Sequence, residues 1–238
     1  MSDLTAEVLK QSELNTADEA SICALYQRYY ESCAGSVASD LREKDYVIVL
    51  RDQSGTVQGF STVLLIKFSF GGIQRSAIFS GDTVIHHDYW GTQALSLSWC
   101  EFAGTIKAAD PEQPLYWFLI VKGYRTYRYL PLFSKVFYPN RRYQTPPEVQ
   151  MMIDYLAKSR FGDSYYAEQG IVRFPESRGH LREQWADIPA RVQNHPDVEY
   201  FLERNPDYNT GDELVCFTEL SEDNLRSYAL RAFTKALF

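Results

Sequence analysis

The sequence predicts an α/β (α+β) fold, in which a central mixed sheet is flanked by helices and followed by a mainly helical C-terminal extension. Three observations predict it: three strand-like segments joined by short turns, then a long amphipathic segment, then an uninterrupted apolar run. A strand, a helix and a second strand in this order form a crossover between parallel neighbours. We therefore predict a core over residues 1–140 and a helical extension packed on it over residues 141–238.

Composition limits the class of protein. The chain has 238 residues, of which 45% are hydrophobic and 23% charged, as in globular proteins. Its apolar runs are far shorter than the ~20 residues of a membrane-spanning helix. Residues 1–14 lack the basic start and apolar stretch of a signal peptide, so we expect a cytoplasmic protein. The cysteines lack the spacing of a zinc site or disulfide framework and are predicted to be reduced packing residues: Cys23, Cys33, Cys100 and Cys216.

The net charge of -7 argues against a dedicated nucleic-acid-binding protein, because such domains carry a positive excess. One segment departs from this average. Between residues 122 and 142 there are basic residues and no acid, which indicates either a local anion site or a solvated basic helix face. These residues are Lys122, Arg125, Arg128, Lys135, Arg141 and Arg142.

The first half of the chain predicts one helix and a three-stranded meander. Apolar residues recur at helical spacing in the first segment, with Asp18 and Glu19 in its first turn, where acids favour the helix dipole. The strand-like segments that follow are separated by turn residues, including Gly71 and Gly72. The predicted helix covers residues 16–30, and the predicted strands cover residues 46–50, 57–67 and 75–85.

A long helix is predicted over residues 91–109, which end before a helix-breaking Asp-Pro pair. Residues 115–121 are apolar without alternation, as in strands buried on both faces, and we expect them to run parallel to the third strand of the meander. Residues 124–137 are ambiguous because Pro131 would interrupt a helix. In the extension we predict a strand over residues 213–217 and helices that begin after Thr145, Asn194 and Ser221.

This order of elements, over residues 16–139, resembles the GNAT superfamily of acyl-coenzyme A dependent N-acyltransferases. The best local match is residues 80–95, Ser-Gly-Asp-Thr-Val-Ile-His-His-Asp-Tyr-Trp-Gly-Thr-Gln-Ala-Leu. In that family the loop after the strand and the first amides of the next helix hold the donor pyrophosphate, since free N–H groups and the helix dipole favour anions. The resemblance implies donor contacts at Val84, Ile85, Gly91, Thr92, Gln93 and Ala94.

A second candidate donor contact follows the buried strand, where tyrosines alternate with arginines. Ligands collect at the carboxyl ends of parallel strands, and a guanidinium can bind phosphate with two hydrogen bonds. We therefore expect Arg125 and Arg128 to contact an anionic donor.

The candidate catalytic residues are a base, its partner and an acid. Imidazole titrates near neutrality, and His86 and His87 end the third strand of the meander. Strand alternation places Asp82 and His86 on one face, so Asp82 is a candidate for orienting that imidazole, although both histidines are equally explained as polar residues at a strand end. The family's tyrosine acid aligns with Phe133, and Tyr138 at the end of the same segment is the remaining candidate.

Two functions are consistent with these residues. The first is an N-acyltransferase that takes an acyl group, which can include a fatty acyl chain, from acyl-coenzyme A or an acyl carrier protein. Its acceptor is an amine of a small molecule or peptide, as in the GNAT-like peptide maturases of bacterial natural-product pathways, and no metal is predicted. The alternative is a catalytically inactive GNAT-fold binding or scaffold protein, which is favoured by departures from the family's pattern at Trp90, Gln93, Leu95 and Phe133.

Overall fold

A computed structural model describes residues 4–32, 35–175 and 178–236. Over these ranges the strands are β1 (Thr5–Lys10), β2 (Tyr30–Glu31), β3 (Tyr46–Arg51), β4 (Val57–Phe70), β5 (Ile73–Ile85), β6 (Leu115–Val121), β7 (Tyr165–Tyr166), β8 (Ile171–Val172), β9 (His180–Leu181) and β10 (Glu213–Glu219). The helices are α1 (Thr16–Tyr29), α2 (Ser36–Arg42), α3 (Ala94–Ala109), α4 (Tyr124–Tyr127), α5 (Tyr129–Phe133), α6 (Pro147–Phe161), α7 (Glu183–Ala186), α8 (Ala190–Gln193), α9 (Pro196–Arg204) and α10 (Ser227–Phe233).

Eight of these strands form one mixed sheet in the order β1-β3-β4-β5-β6-β10-β8-β7, and β2 pairs separately with β9. Strands β5 and β6 run parallel and are joined by α3, whereas the other neighbours in the sheet are antiparallel. The predicted meander, crossover helix and buried parallel strand are therefore confirmed. Strand β1 was not predicted, because its six residues are mostly exposed and show no clear alternation.

Helices cover both faces of the sheet, as strand alternation requires. On one face α3, α9 and α10 pack against inward side chains such as Ile48, Ile78 and Trp117. On the opposite face, α6 covers residues of β5, β6 and β10, while α1 and α2 cover β3 and β4. The predicted α/β class with a central mixed sheet is confirmed by this arrangement.

Residues beyond 140 contribute strands as well as helices. Strand β10 pairs with β6 from Leu214↔Val121 to Glu219↔Tyr116, so the sheet continues across the predicted boundary. The predicted strand over residues 213–217 is confirmed and is two residues longer. The division into a core and an extension stays a prediction.

The three predicted helix caps in the extension are wrong, and α9 is capped by His195, whose side chain accepts a bond from the Asp197 amide, instead of by Asn194. The last helix begins at Ser227 instead of after Ser221, because the Asn224 side chain holds residues 221–225 in a turn by bonding Val136 and Glu219. Helix α6 begins at Pro147 with no side-chain cap, so Thr145 does not cap it. Pro147 supplies the φ angle that the first turn of a helix needs, so the helix can begin there without a side-chain cap. Residues 124–137 form two short helices, α4 and α5.

Among the described cysteines, Cys100 and Cys216 are buried and Cys23 is half-buried, all with free thiols, whereas Cys33 lies outside the described residues. The described helices include none with the length and apolar character to cross a membrane. The basic segment does not form one anion site, because Lys122 and Arg141 pair with Glu213 and Asp197.

Helix α3 packs closely on the end of α10 at Gly104, where an added Cβ would overlap the Phe233 carbonyl oxygen. We predict that Gly104→Ala lowers the free energy of unfolding by about 1–3 kcal/mol, because a backbone atom must move to admit the methyl group. Urea denaturation measures this, with the exposed Thr105→Ala on the same helix as a control expected to stay within about 0.5 kcal/mol of wild type. A more stable Gly104→Ala variant would show that helix propensity outweighs the close packing.

Candidate active site

The site lies where the parallel strands β5 and β6 separate. They pair from Ser76↔Leu115 to Ser80↔Leu119 and then diverge. On the other edge of β5, the register with β4 shifts between Ser80 and Thr83, so that two residues of β5 stand opposite one of β4. Such a bulge bends the strand that carries the extra residue. The result is a fork at the carboxyl ends of two parallel strands, which is where ligands bind in α/β sheets.

Gly81 lies in this bulge, where a side chain would have no room. A Cβ at this position would lie 2.5 Å from Thr62 Oγ1 and 2.8 Å from Lys44 Cε. Glycine therefore leaves room for the Lys44 side chain, which is fully buried and forms an ion pair with Asp40. The chain places a buried ammonium directly behind the fork.

Three cavities meet at the fork. The charged cavity, of about 270 Å³, is lined by Tyr30, Asp40, Asp82, Lys122, Phe161 and Glu213 among others. The aromatic cavity, of about 130 Å³, is lined by Tyr29, Trp90, Tyr124, Arg125, Trp185 and Tyr208 among others. The small cavity, of about 40 Å³, is lined by Ser80, Trp99, Trp117, Leu119, Tyr129 and Phe133 among others. Thr83 and Thr126 line all three, so the two threonines mark their common point.

An ion pair spans two strands at the base of the charged cavity. Lys122 Nζ lies 3.6 Å from Glu213 Oε1, and the two side chains are only 10% and 7% exposed. Burial raises the pKa of Glu213 to about 7, although the Lys122 ammonium opposes the shift. Burial acts to lower the pKa of Lys122, but the carboxylates of Glu213 and Asp82 outweigh it and the pKa is raised. The cavity thus holds a carboxyl group that titrates near neutrality beside a permanent cation.

Asp82 and Tyr30 complete this polar wall. The Tyr26 hydroxyl donates a hydrogen bond to the Asp82 carboxylate, whose pKa is raised by burial against the opposing effect of Lys122. Burial also raises the pKa of Tyr30 to about 12, so its hydroxyl stays protonated at neutral pH. Tyr30 lines both the charged and the aromatic cavity, and the Lys122 ammonium lies 5.5 Å from its ring. A protonated phenol therefore stands between the two cavities.

Trp90 lines the aromatic cavity and is held there by contacts with two neighbours and by ring packing. The Trp90 indole N–H donates a 2.8 Å hydrogen bond to the Ile85 carbonyl, and the Arg125 guanidinium lies 4.0 Å from the Trp90 ring. The centre of the Trp185 ring lies 5.3 Å from that of Trp90 and 5.0 Å from that of Tyr29. The predicted donor contacts Ile85 and Arg125 line this cavity, together with Val84.

The other predicted loop residues form the entry to α3. Gly91 has a φ of +96°, which favours glycine, and Thr92 Oγ1 accepts a 3.3 Å hydrogen bond from the Ala94 amide. Gln93 stands at the N-cap without a side-chain bond to the helix. None of these residues lines the three cavities, and neither does the exposed Arg128.

The alternation argument for His86 is wrong, because β5 ends at Ile85 and His86 already begins a tight turn. His86 Nδ1 accepts a bond from the Asp88 amide, and His87 Nδ1 lies 2.9 Å from the Tyr29 hydroxyl. Burial and the nearby Arg28 lower the pKa of His86. Neither imidazole lines the three cavities, and the expected pairing of Asp82 with His86 is not formed, because Asp82 faces Tyr26 and Lys122.

Tyr138 lies apart from the fork. It bridges to Phe217 on β10 and packs 5.8 Å from the Tyr143 ring, outside the three cavities. Phe133, at the position of the family's tyrosine, lines the small cavity and stacks 5.7 Å from Trp117. The structure therefore brings Asp82, Val84, Ile85 and Arg125 to the cavities and leaves Tyr138 outside.

Sequence reasoning missed Glu213, Lys122 as its partner, and Tyr30. One pattern could have indicated the pair: each charged residue adjoins an apolar strand segment, Glu213 at the start of β10 and Lys122 directly after β6. Buried charges of this kind are rare unless they are paired. The antiparallel pairing of the two strands, which brings the charges together, was not predicted.

The chain matches no family model and no curated relative. Among solved structures it is similar to a probable N-acyltransferase from Enterococcus faecalis V583, at 14% identity over 57% of this chain and 33% of that chain, with a TM-score of 0.42. It is also similar to the GNAT family N-acetyltransferase YhbS from Escherichia coli, solved in complex with CoA, at 19% identity over 50% of this chain and 64% of that chain, with a TM-score of 0.36. A Trypanosoma brucei acetyltransferase is similar at 22% identity over 42% of this chain and 75% of that chain, with a TM-score of 0.30.

The chain thus spans about a third of the Enterococcus protein and just under two thirds of the Escherichia coli protein. The order of elements on which the sequence resemblance rests is present in the structure: the meander is followed by the crossover helix α3 and by β6, which runs parallel to β5.

The raised pKa of Glu213 has a consequence for stability. Between about pH 4.5 and 7 the folded protein keeps a proton on Glu213 that the unfolded chain has lost, so this group makes stability fall as pH rises through that window. We predict that the free energy of unfolding of Glu213→Gln, relative to that of wild type, increases by about 1–3 kcal/mol as the pH rises from about 5 to about 7.5. Urea denaturation at the two pH values measures the difference. The exposed Glu219→Gln on the same strand is the control, and an equal pH response of both variants would contradict the assignment.

Proposed function

We propose that the protein is an N-acyltransferase that holds an acyl thioester in the aromatic and small cavities and an amine in the charged cavity. The observation that carries the proposal is the meeting of the three cavities at Thr83 and Thr126. Acyl transfer needs a donor carbon and an acceptor nitrogen within bonding reach while the rest of each substrate stays apart. Cavities of different chemistry that share one point meet this requirement.

The donor is assigned to the aromatic side because of its lining. Tyrosine and tryptophan rings offer apolar surface for the arm of a thioester, and Arg125 supplies a cation for a phosphate group. The small cavity, between Trp117 and Phe133, accommodates a short acyl group better than a long chain. Acyl-coenzyme A and an acyl carrier protein both offer this kind of thioester.

The acceptor amine is assigned to the charged cavity, where Glu213 can act as its base. An ammonium gives one proton to the Glu213 carboxylate, and the neutral nitrogen attacks the thioester carbon. A C–N bond forms and the C–S bond breaks. The Tyr30 hydroxyl protonates the departing thiolate and recovers a proton from the nitrogen, and Glu213 releases the proton that it accepted to solvent, so the protons balance. The pKa of Glu213 at about 7 and that of Tyr30 at about 12 support these two roles.

A non-catalytic binding protein remains the second candidate, on one specific observation. The Trp90 indole bonds the Ile85 carbonyl and lies under Arg125, so the proposed phosphate contact is already engaged by the protein's own side chain. An acyltransferase must share or release this contact when a donor binds. Consumption of the thioester separates the two functions, because a binding protein retains the donor without cleaving it.

We predict that Arg125→Ala weakens binding of acetyl-coenzyme A by about tenfold and reduces its salt dependence, because one charge contact to the donor is lost. Isothermal calorimetry at two salt concentrations measures both effects. Arg231→Ala removes the same charge from an exposed position that lines none of the three cavities. Equal losses in both variants would mean a general charge effect, and no binding of coenzyme A, acetyl-coenzyme A or an acyl carrier protein would remove the acyltransferase proposal.

We also predict that Glu213→Gln lowers kcat by about 100-fold or more, because the amide cannot accept the amine proton. Donor affinity should stay close to that of wild type, since Glu213 lines the charged cavity and not the aromatic one. The rate of free-thiol release, followed against pH, measures kcat. In wild type we expect this rate to show a titration near pH 7, and in Glu213→Gln we expect that titration to be absent. His86→Ala and His87→Ala test the alternative base, and a comparable loss in either would contradict the assignment to Glu213.

A further inference from the structure

The charged cavity has two ends of opposite character. Its inner end, beside the fork, is formed by Asp40, Asp82, Lys122 and Glu213, with Lys44 directly behind. Its outer end is formed by Glu43, Phe79, Arg160, Phe161, Phe174 and Arg178. Most of the outer residues come from α6 and from the segment after β8, both of which lie in the C-terminal part of the chain.

Among the described residues, the inner end has one more carboxyl group than it has ammonium groups. Three carboxylates, on Asp40, Asp82 and Glu213, face the two ammonium groups of Lys44 and Lys122. Burial raises the pKa of Asp82 and of Glu213, and the neighbouring carboxylates add to it: Asp40 acts on Asp82, and Asp40 and Asp82 both act on Glu213. An additional cation in this space would stabilise their ionised forms, as expected of a site for a substrate ammonium.

The outer end has the opposite balance among the described residues. Arg160 pairs with Glu43 at 3.0 Å and lies 5.5 Å from the Phe79 ring. Arg178 stands 4.2 Å from the Phe174 ring. Two guanidinium groups therefore face one carboxylate, and the excess positive charge fits an anion. Between them, Phe161 packs edge-on against Phe79 at 5.9 Å and Phe174 at 6.1 Å, which provides apolar surface.

We propose that the charged cavity binds a short peptide with a free amino terminus, an apolar side chain and a free carboxylate. Its ammonium lies at the inner end near Asp82 and Glu213, its side chain against the phenylalanines, and its carboxylate near Arg160 and Arg178. This inference rests on the proposed function, in which the bound amine is the acyl acceptor, and it names the class of that amine. A polyamine would place a second cation against the arginines, and an amine without an anionic group would leave their positive charge without a partner.

The ligand class is tested by calorimetry on the full chain without any donor, so that binding is measured independently of chemistry. The probes are Gly-Phe, its C-terminal amide, which lacks the carboxylate, and N-acetyl-Gly-Phe, which lacks the ammonium. We expect Gly-Phe to bind at least about tenfold more tightly than either analogue, because each analogue leaves one charged end of the cavity unpaired. Equal binding of Gly-Phe and its amide, or no binding of Gly-Phe, would overturn the proposal.

Arg178→Gln locates the carboxylate. The side chain is exposed, so the variant should fold normally. We expect the variant to bind Gly-Phe about tenfold more weakly than wild type does and to bind the amide with unchanged affinity. The matched control is Arg191→Gln, an exposed arginine that lines none of the three cavities. A variant that weakens Gly-Phe and its amide equally would contradict the placement of the carboxylate.

Thioester consumption then separates this inference from the proposed function. If Gly-Phe binds in an Arg178-dependent way and no bound thioester is cleaved, the peptide class stands and acyl transfer fails. If the thioester is cleaved equally well with Gly-Phe and its amide, acyl transfer stands and the zwitterionic peptide class is overturned.

Discussion

The divergence of β5 from β6 is the constraint on which the rest of the site depends. As long as two parallel strands stay hydrogen-bonded, their backbone groups satisfy one another and leave no space between them. Here pairing stops after Ser80 and Leu119, next to a bulge that bends β5 away. Gly81 lies in the bulge, and Lys44 and Thr62 occupy the position that a side chain would take there. A single residue without a Cβ thus makes room for the ammonium behind the fork.

The core of the fold could be predicted because its signals are local. An apolar run without alternation identified β6, turn residues separated the meander strands, and helical spacing identified α3. The elements that were missed or misplaced depend on distant partners. Strand β1 is largely exposed and exists because it pairs with β3, and the start of α10 is set by side-chain bonds from Asn224 to residues far away in the chain. Such contacts leave little trace in local composition.

The candidate site was predicted in part for the same reason. Arg125 follows from its place after a strand end, and Val84 and Ile85 were implied by the family resemblance; all three line a cavity. The proposed Asp82 and His86 pair assumed that β5 continues with regular alternation, whereas the strand contains a bulge and ends at Ile85. Glu213 and Lys122 become partners only through the pairing of β10 with β6. Sequence periodicity describes one strand at a time and does not contain that register.

The pairing of Lys122 with Glu213 also ties the chemistry of the site to the order in which the chain folds. The strands β5 and β6 and the crossover between them can associate early, since they are close in sequence, but Lys122 then has no carboxylate from β10. Asp82 on β5 still faces Lys122, but the ammonium then lacks its ion-pair partner Glu213 and is costly to bury, so the end of β6 should remain hydrated until β10 docks. During synthesis the polar base of the site is therefore completed late, when the last strand enters the sheet.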